Sequence, residues 1–301
     1  MPESRILLIE NPASLSIDLG RIKIVRQNQP DAFILPADIA VLCLHHHTIN
    51  LTVAVLRTLA EAGTAVLVTD EQHHPVGLQL PLVANQSLPQ RLNQQIRFQQ
   101  TEKPGDVWQL LIQSRLRTQA NNLRYLKLNG ALYLERLTNK LQPGDPVNIE
   151  AQAAKHYWKH FFNADFRRKK QGAMDGINSR LNFGYAVLRA MIARQLVMSG
   201  LNPALGIGHH GQQNPFNLAD DFIEPYRFVV ERHVRQLDIK SDDFTSKDKP
   251  ALLAFIEASV LIDGQDHRLA QGIAKSINSF CRYLDTDKEI LQLPEDAGAG
   301  E

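Results

Sequence analysis

The sequence has few cysteines and no long apolar run, and these two absences exclude several classes of protein. Its 301 residues include only two cysteines, Cys43 and Cys281, each inside an apolar pattern. Two thiols are too few for a zinc site or a disulfide framework, so we expect reduced core residues in a cytoplasmic protein. No run approaches the roughly 20 apolar residues that a membrane helix needs, and we expect neither a membrane span nor a secretory signal.

The chain also lacks a strong overall charge, since its formal net charge is +1 at pH 7. The charge is nevertheless unevenly distributed. Residues 110–172 carry twelve Lys or Arg against four Asp or Glu, a net of +8, whereas residues 281–301 carry two against six, a net of −4. A basic middle region suits a phosphate-bearing partner bound to one part of the molecule, although a solvated helix face explains it equally well.

Apolar residues alternate with polar ones in residues 1–85, which predicts a β-rich region. Gly20 separates two such segments, so these predict a hairpin. The alternating pattern is interrupted once, at Asn50–Ala62, where apolar residues recur at helical spacing. We therefore predict a helix there, ended by the following Gly63. The predicted strands are Arg5–Glu10, Ser14–Leu19, Arg21–Val25, Ala40–Leu44 and Ala65–Thr69.

The strand pattern ends near Leu80–Pro89, a segment rich in proline and polar residues where we place a linker. Helical periodicity follows it. The predicted helices are Asp106–Lys127, Asp145–Phe162, Asn178–Ser199, Pro250–Ile262 and His267–Tyr283. We therefore predict an α+β protein with a β-rich domain at 1–85, a larger all-α-helical domain at 86–293 and a disordered tail at 294–301.

The segment 205–227 gathers carboxylates on one predicted helix. Asn214, followed by a proline, is the expected N-cap, and Pro225 is expected to kink or end the helix. Spacings of four and three place Asp220 and Asp221 on the same side as Glu224. Three neighbouring carboxylates repel one another unless solvent or a divalent cation neutralises them. A metal site and a solvated acidic helix both remain open from this pattern.

Two further features accompany the acidic helix. His209 and His210 precede it on a glycine-flanked turn, Gly206–Gly211, which matches the dinucleotide fingerprint G-x-G-x-x-G. We reject a dinucleotide site because no predicted strand precedes the turn and an acidic helix follows it. Glu150 lies in the first turn of the helix that Asp145 is expected to cap, and there it is an ordinary acid favoured by the helix dipole.

Cationic side chains with aromatic residues between them suit a DNA backbone and an unpaired base. Solubilising charge is the alternative for any single residue. The clusters are Arg115, Arg117, Arg124 and Lys127; His156, Lys159 and His160 with Tyr157 and Trp158; and Arg167, Arg168, Lys169 and Lys170.

Three segments resemble the integrase-endonuclease family of CRISPR adaptation, whose members insert new spacers. Asn148–Ala154 (NIEAQAA) is similar to the family's first glutamate helix, and Asn178–Tyr185 (NSRLNFGY) to its Leu-Asn-x-Gly-Tyr helix. Gly206–Arg227 is similar to its His…Asp-Leu-x-Glu-x-x-Arg segment. The resemblance extends over nearly the whole chain, and the Asn-Pro-Phe-Asn-Leu run looks most like type II systems.

The resemblance implies a site and a cofactor. Glu150, His209 and Glu224 would be the ligands of Mg²⁺ or Mn²⁺, with Asp221 as a further catalytic residue. His210 leaves a one-residue ambiguity beside His209. The residues expected to contact DNA are Arg167, Arg168, Lys169, Arg180 and Tyr185.

The resemblance also implies an activity and partners. A homodimer, joined through the β-rich domain and catalytic in the helical one, would act on protospacer and CRISPR repeat DNA. Two dimers would clasp a dimer of a small adaptation partner protein, and the type II effector nuclease is a further candidate partner. The reaction would be transesterification, in which a DNA 3′-hydroxyl attacks a phosphodiester. A general metal-dependent nuclease and a non-catalytic DNA-binding scaffold are the alternatives.

Overall fold

The computed structural model describes residues 5–70, 75–81, 88–169, 175–239, 244–245, 248–286, 288 and 290–297. The chain divides into two compact units. The first contains Met1–Pro89 and Ala186–Leu201, and the second contains Gln90–Tyr185 and Asn202–Glu301. The predicted linker lies largely outside the described residues, because positions 82–87 are not among them. The boundary between residues 85 and 86 therefore stays a prediction.

Two β-sheets make up most of the first unit. The first sheet has the order β1-β5-β7-β8, in which β8 alone is antiparallel to its neighbour, and the second has the order β4-β3-β2-β6. The strands are β1 (Arg5–Ile9), β2 (Ser14–Asp18), β3 (Arg21–Val25), β4 (Ala32–Ile34), β5 (Ile39–Leu44), β6 (Asn50–Leu51), β7 (Ala65–Thr69) and β8 (Pro75–Gln79).

The predicted hairpin is confirmed as the antiparallel pair β2–β3. Leu19 and Gly20 form its two-residue turn, and both have a positive φ, which suits the twist of the flanking strands. Leu15, Ile22 and Ile24 are buried in one apolar cluster. The period-two pattern predicted these strands correctly because alternate side chains of a strand face the same side.

Helix α1 (Val53–Glu61) of the first unit begins later than predicted. Thr52 is its N-cap, and the Thr52 hydroxyl accepts a hydrogen bond from the Val55 N–H at 3.4 Å. Asn50, which we expected to open the helix, belongs to β6 instead. Its N–H donates to the carbonyl of Ala13 at 2.9 Å. The pairing of β6 with β2 therefore delays the helix by three residues.

The second unit is mostly helical, as predicted. Its central helix α3 contacts α4, α5, α7 and α8. Leu111, Ile112 and Leu116 of α3 are fully buried, but so is the polar Gln119, and Arg115 is nearly so. The helices after β8 are α2 (Leu88–Gln99), α3 (Lys103–Tyr125), α4 (Ala131–Thr138), α5 (Ile149–Phe161), α6 (Gly176–Met198), α7 (Asn217–Ile223), α8 (Arg227–Gln236), α9 (Lys249–Leu253) and α10 (Leu269–Thr286). From Ala186 onward, α6 belongs to the first unit.

The prediction that this unit is wholly helical is wrong, because it contains a three-stranded antiparallel sheet. The strands β9 (Ser259–Ile262), β10 (Gln265–Arg268) and β11 (Asp296–Ala297) have the order β10-β9-β11. The helix predicted at Pro250–Ile262 stops at α9 and a short 3-10 turn. Asp263 and Gly264 then turn β9 into β10 with positive φ at both residues. This Asp-Gly pair is a hairpin signal that helical spacing concealed.

The tail that we expected to be disordered from residue 294 includes β11. Asp296 and Ala297 pair with Leu261 and Val260 of β9. The Ser114 hydroxyl donates to the carbonyl of Pro294 at 2.6 Å. Backbone pairing and this side-chain bond therefore order residues 294–297, while residues 298–301 lie outside the described residues.

Two expectations drawn from the composition concern thiols and membranes. Cys43 and Cys281 are both buried, as expected of core residues. Within the described ranges, no helix is both long enough and apolar enough to cross a membrane.

Candidate active site

Glu150 lies in the first turn of α5, and two side chains fix that turn. The Asp145 carboxylate accepts hydrogen bonds from the N–H groups of Ile149 (2.7 Å) and Glu150 (2.9 Å). Asn148 is the N-cap, in the left-handed region, and its side chain accepts from the Ala151 N–H at 3.3 Å. The helix thus begins three residues later than predicted, with Asn148 and not Asp145 as its N-cap, while Asp145 binds two N–H groups of its first turn. The Glu150 side chain is left 31% exposed.

Glu224 lies where the acidic helix is interrupted. The segment Glu224–Tyr226 is a 3-10 turn between α7 and α8. Pro225 has no N–H and cannot continue the helical ladder, so the predicted interruption is confirmed. Helix α7 begins at Asn217, later than predicted, because Asn214 uses its side chain to accept from the Phe216 N–H at 3.1 Å. The Glu224 side chain is buried.

Asp221 is fully buried and organises the loop that carries His209. Its carboxylate accepts hydrogen bonds from the backbone N–H groups of Ile207, Gly208 (3.2 Å) and His209 (2.9 Å). His209 Nδ1 also donates to Asp221 Oδ1 at 2.8 Å. This hydrogen bond raises the pKa of His209. Nδ1 is thereby occupied, and Nε2 is the nitrogen left for another contact. His210 is exposed.

The glycines of the rejected dinucleotide fingerprint serve close packing around this loop. A Cβ on Gly206 would overlap the carbonyl oxygen of His209. A Cβ on Gly208 would overlap the Trp108 ring. The same Trp108 ring meets His209 edge to face, with centroids 5.5 Å apart. The two glycines therefore allow the loop to approach Trp108 and to place the imidazole.

Arg115 connects the two glutamates that we predicted as ligands. Its Nη1 lies 2.6 Å from Glu150 Oε1 and 2.7 Å from Glu224 Oε2, and its side chain is only 4% exposed. Burial disfavours the charged guanidinium, but Glu224 and Glu150 outweigh burial and raise the pKa of Arg115. We had grouped Arg115 with cations facing DNA, and that interpretation is wrong because the side chain is buried in this ion pair.

Neighbouring charges also set the pKa of Glu224. Burial alone would raise its pKa, but Arg115, Arg227 and His209 together lower it below the ordinary value. Arg227 Nη1 donates to Glu224 Oε1 at 3.0 Å. Among the described residues, Glu224 Oε2 has no partner in hydrogen-bond geometry, although Arg115 lies at ion-pair distance from it. Glu224 is thus an ionised carboxylate with one oxygen able to accept a further ligand.

The three predicted ligands do not form a closed cluster around one point. In the part of the chain that the structure describes, no three His, Cys, Asp or Glu side chains are close enough to surround one ion. Glu150 and Glu224 instead meet through Arg115, and His209 stands against Asp221. Asp220, which we placed on the same side as Glu224, accepts a hydrogen bond from the Asn214 side chain at 2.7 Å.

A buried polar network lies behind Glu224. Glu231 is fully buried and accepts hydrogen bonds from the Tyr185 hydroxyl (2.7 Å) and the Gln119 amide (3.2 Å). Arg227 Nε lies 3.5 Å from Glu231, and the Arg227 guanidinium lies over the Tyr185 ring at 4.5 Å. Sequence reasoning missed Glu231 and Gln119, since one acid or amide on a helix gives no signal of burial.

The residues predicted to contact DNA divide into exposed and interior ones. Arg167 and Lys169 are exposed, while Arg168 is half-buried and donates to Asn182 Oδ1 at 2.6 Å. Arg180 and Tyr185 are buried instead, so the structure argues against direct DNA contact by either. Arg180 pairs with Asp248 at 3.1 Å, and Tyr185 bonds Glu231. Lys170 lies outside the described residues.

Comparison with known proteins identifies the family. The sequence model described as CRISPR associated protein Cas1 matches residues 6–258. The CRISPR-associated endonuclease Cas1 of Neisseria meningitidis serogroup C (strain 8013) is 32% identical over 302 residues, 97% of this chain and 96% of that protein. The match to the Neisseria protein is consistent with the prediction that this chain resembles the type II systems.

Solved structures share the fold. A casposase bound to integration product matches with a TM-score of 0.78 and 22% identity, over 95% of this chain and 92% of that chain. A Cas6-RT-Cas1–Cas2 complex matches with a TM-score of 0.75 and 17% identity, over 95% of this chain and 35% of that chain. The predicted α+β class is confirmed, with a mostly helical second region. The family resemblance read from the motifs is confirmed as well, and the chain belongs to the Cas1 family.

Proposed function

We propose that this protein is a divalent-metal-dependent DNA integrase and endonuclease that inserts new spacers into a CRISPR array. Support comes from its family, from a relative named as a CRISPR-associated endonuclease, and from the fold of a casposase bound to integration product. The 3′-oxygen of an incoming DNA end forms a bond to a target phosphorus, and the bond from that phosphorus to the target's own 3′-oxygen breaks. The attacking hydroxyl loses a proton and the leaving oxygen gains one. One phosphodiester bond replaces another, so no nucleotide is consumed as an energy source.

The observation that carries this proposal is the position of Arg115 Nη1 between Glu150 and Glu224, at 2.6 and 2.7 Å. One cationic group between two carboxylates is the charge arrangement that a divalent ion would also adopt. Glu224 Oε2 has no hydrogen-bond partner among the described residues and is able to accept such an ion. The two carboxylates are donors of the chemical type that a divalent ion prefers, although Arg115 lies between them and His209 pairs with Asp221.

We propose Glu150, His209 and Glu224 as the ligands and Mg²⁺ or Mn²⁺ as the ion. Mixed carboxylate and imidazole donors tolerate Mn²⁺ well, whereas Mg²⁺ favours oxygen donors alone. Such an ion, when bound, supplies stabilisation of phosphate charge and activation of the attacking oxygen. The choice of His209 over His210 is supported by the hydrogen bond of His209 to Asp221 and by the exposure of His210.

The surrounding residues position these donors. Asp221 holds the His209 ring through Nδ1, so that Nε2 remains available. Arg227 holds Oε1 of Glu224. Positioning of this kind aligns the attacking and leaving oxygens and contributes to the rate.

The partners that we propose are protospacer and CRISPR repeat DNA, a small adaptation partner protein and a second copy of the chain, joined through the first unit. Exposed cations such as Arg167 and Lys169 support DNA binding. Fold likeness to a chain of a Cas6-RT-Cas1–Cas2 complex supports a partner protein. The type II effector nuclease is a further candidate partner, and the cytoplasm is the expected location. Light scattering of the protein, alone and with the small partner, tests the assembly.

Strand transfer by alanine variants tests the site. We expect Glu150→Ala, His209→Ala and Glu224→Ala each to abolish joining of a labelled DNA end to a repeat-containing duplex, with far-UV circular dichroism unchanged. His210→Ala is the matched control and should retain activity, because its side chain is exposed. Full activity in two of the three variants would reject the assignment.

A DNA-binding scaffold without catalysis is a second candidate, because Arg115 already neutralises both glutamates. Calorimetric titration of Mn²⁺ into wild type and Glu224→Ala separates the two functions. Equal, negligible heats favour the scaffold, and a heat that Glu224→Ala removes favours the enzyme. A general nuclease would cleave linear DNA and branched DNA alike, whereas an integrase should reverse strand transfer on branched DNA.

A further inference from the structure

Three aromatic rings from two helices form a ladder on the second unit. Tyr133 of α4 lies against His156 of α5, with centroids 4.3 Å apart and planes inclined by 35°. His156 lies against His160, with centroids 4.1 Å apart and planes inclined by 34°. The outermost ring, Tyr133, is 42% exposed, and both histidines are half-buried. We refer to Tyr133, His156 and His160 as the aromatic ladder.

The backbone fixes the two imidazoles of the aromatic ladder. His156 Nε2 donates to the carbonyl of Gly130 at 3.1 Å, and His160 Nδ1 donates to the carbonyl of His156 at 2.8 Å. Gly130 has a φ of +105° and touches both rings: a Cβ there would lie 2.7 Å from His156 Nε2 and 3.0 Å from His160 Cγ. A residue other than glycine would displace the rings, so the ladder depends on this close approach.

Cations flank the ladder. Burial lowers the pKa of His156 below its ordinary value, and His160 and Lys159 lower it further against the opposing hydrogen bond to Gly130, which favours the uncharged imidazole. Lys155 and Lys159 are exposed. A spacing of four residues places them on one face of α5, next to the face that carries His156 and His160. A flat apolar edge next to a row of ammonium groups matches the two parts of a nucleotide, a base and a phosphate.

We infer that the aromatic ladder binds an unpaired base of single-stranded DNA, stacked on Tyr133, while Lys155 and Lys159 contact the neighbouring phosphates. The sequence motif had suggested Tyr157 and Trp158 for this role. Both are buried, so Tyr133 and the histidines take their place.

The ladder lies close to the candidate active site along the chain. His156 follows Glu150 by six residues on α5, which is about 9 Å along the helix axis. Six residues are about one and two-thirds turns, so the two side chains lie on different faces of α5. The inference rests on the proposed DNA substrate, but it concerns binding alone and does not require strand transfer or a metal.

Single-strand binding in EDTA tests the inference. The probe is an oligonucleotide that contains 2-aminopurine, whose fluorescence falls when the base stacks, and anisotropy gives the affinity. We expect Tyr133→Ala to weaken binding about five-fold or more and to reduce the quenching. Tyr133→Phe should bind like wild type, because it keeps the ring. Leu132→Ala is the matched control, since Leu132 is 67% exposed and lies outside the ladder.

Blunt duplex DNA separates base stacking from phosphate attraction. A duplex without unpaired bases should bind wild type, Tyr133→Ala and Leu132→Ala with equal affinity. Wild-type affinity of Tyr133→Ala for the single strand would overturn the inference, and so would equal losses for single strand and duplex. Failure of the proposed integrase function would appear elsewhere, as absence of strand transfer by the wild-type protein, and it would leave the single-strand binding result unchanged.

Discussion

Arg115 and Glu224 form a buried ion pair in which Nη1 lies 2.7 Å from Oε2 and each side chain is 4% exposed. Glu150 contacts the same Nη1 at 2.6 Å, so loss of the guanidinium would leave two carboxylates facing each other without a cation. We expect Arg115→Met to lower the free energy of unfolding in metal-free buffer by about 3–5 kcal/mol. Urea denaturation measures this loss.

Arg117 supplies the matched control, because it has the same charge on the same helix but is exposed. Arg117→Met should change the free energy of unfolding by less than about 0.5 kcal/mol. Mn²⁺ should restore more stability to Arg115→Met than it adds to wild type, because the ion would neutralise the two carboxylates in place of the guanidinium. An unfolding midpoint of Arg115→Met that does not respond to Mn²⁺ would contradict a metal site between Glu150 and Glu224.

Tyr185→Phe separates a structural role of this tyrosine from DNA contact. The Tyr185 hydroxyl donates to buried Glu231, and its removal leaves that carboxylate with one donor fewer. We expect the free energy of unfolding to fall by about 1–3 kcal/mol. The affinity for DNA in EDTA should remain that of wild type, because Tyr185 is buried. A loss of DNA affinity without a loss of stability would restore the contact role.

Sequence patterns predicted the strands and helices that bury one apolar face against the rest of the protein. The hairpin β2–β3 and the helices α3 and α5 were found because their apolar residues recur with a period of two or 3.6 residues. The partner of a polar side chain has no such period. Arg115 appeared to belong to a row of surface cations, because its burial depends on Glu150 and Glu224, which are 35 and 109 positions away.

The errors in the second unit have related causes. Glu150 alone appeared ordinary, and only the family resemblance joined it to Glu224. The charge of Arg180 and the aromatic ring of Tyr185 are visible in the sequence and suggest DNA contact, whereas their partners, half-buried Asp248 and buried Glu231, are not visible there. The β9–β10 hairpin has a local signal in its Asp-Gly turn. Helical spacing in the preceding apolar run competes with that signal and predicts a helix where the structure has a strand.

Truncation tests the ordered tail. Removal of residues 294–301 eliminates β11 and the hydrogen bond from Ser114 to Pro294. It also removes the 3.1 Å bond from the Asn121 amide to the carbonyl of Glu295. We expect the melting temperature to fall by several degrees, since each kcal/mol shifts it by about 2–4 °C in a domain of this size. Removal of residues 298–301 alone retains these contacts and should leave it unchanged. Equal melting temperatures of the two truncations would contradict the strand.

The ion pair between α2 and α10 should make stability depend on acid pH. Arg91 binds Asp285 through two contacts, Nη1–Oδ1 at 2.7 Å and Nη2–Oδ2 at 3.1 Å, and Gln94 donates to Oδ1 at 2.8 Å. Burial alone would raise the pKa of Asp285, but the bonds from Arg91 and Gln94 and the charge of Arg91 lower it overall. A lowered pKa in the folded state stabilises the protein above the unfolded value, about 3.9 for aspartate, and the benefit disappears as pH falls through the folded value.

Asp285→Asn should therefore be less stable than wild type at pH 7, and the difference should shrink below about pH 4. Because Asp285 is 36% exposed, solvent screening limits the difference to about 1 kcal/mol or less. Urea denaturation at pH 7, 5 and 3 measures it. In an Arg91→Ala background the same substitution should have almost no effect at any pH, because the pair is already broken. A gap between wild type and Asp285→Asn that stays constant from pH 7 to pH 3 would assign the stabilisation to packing and not to the charge of Asp285.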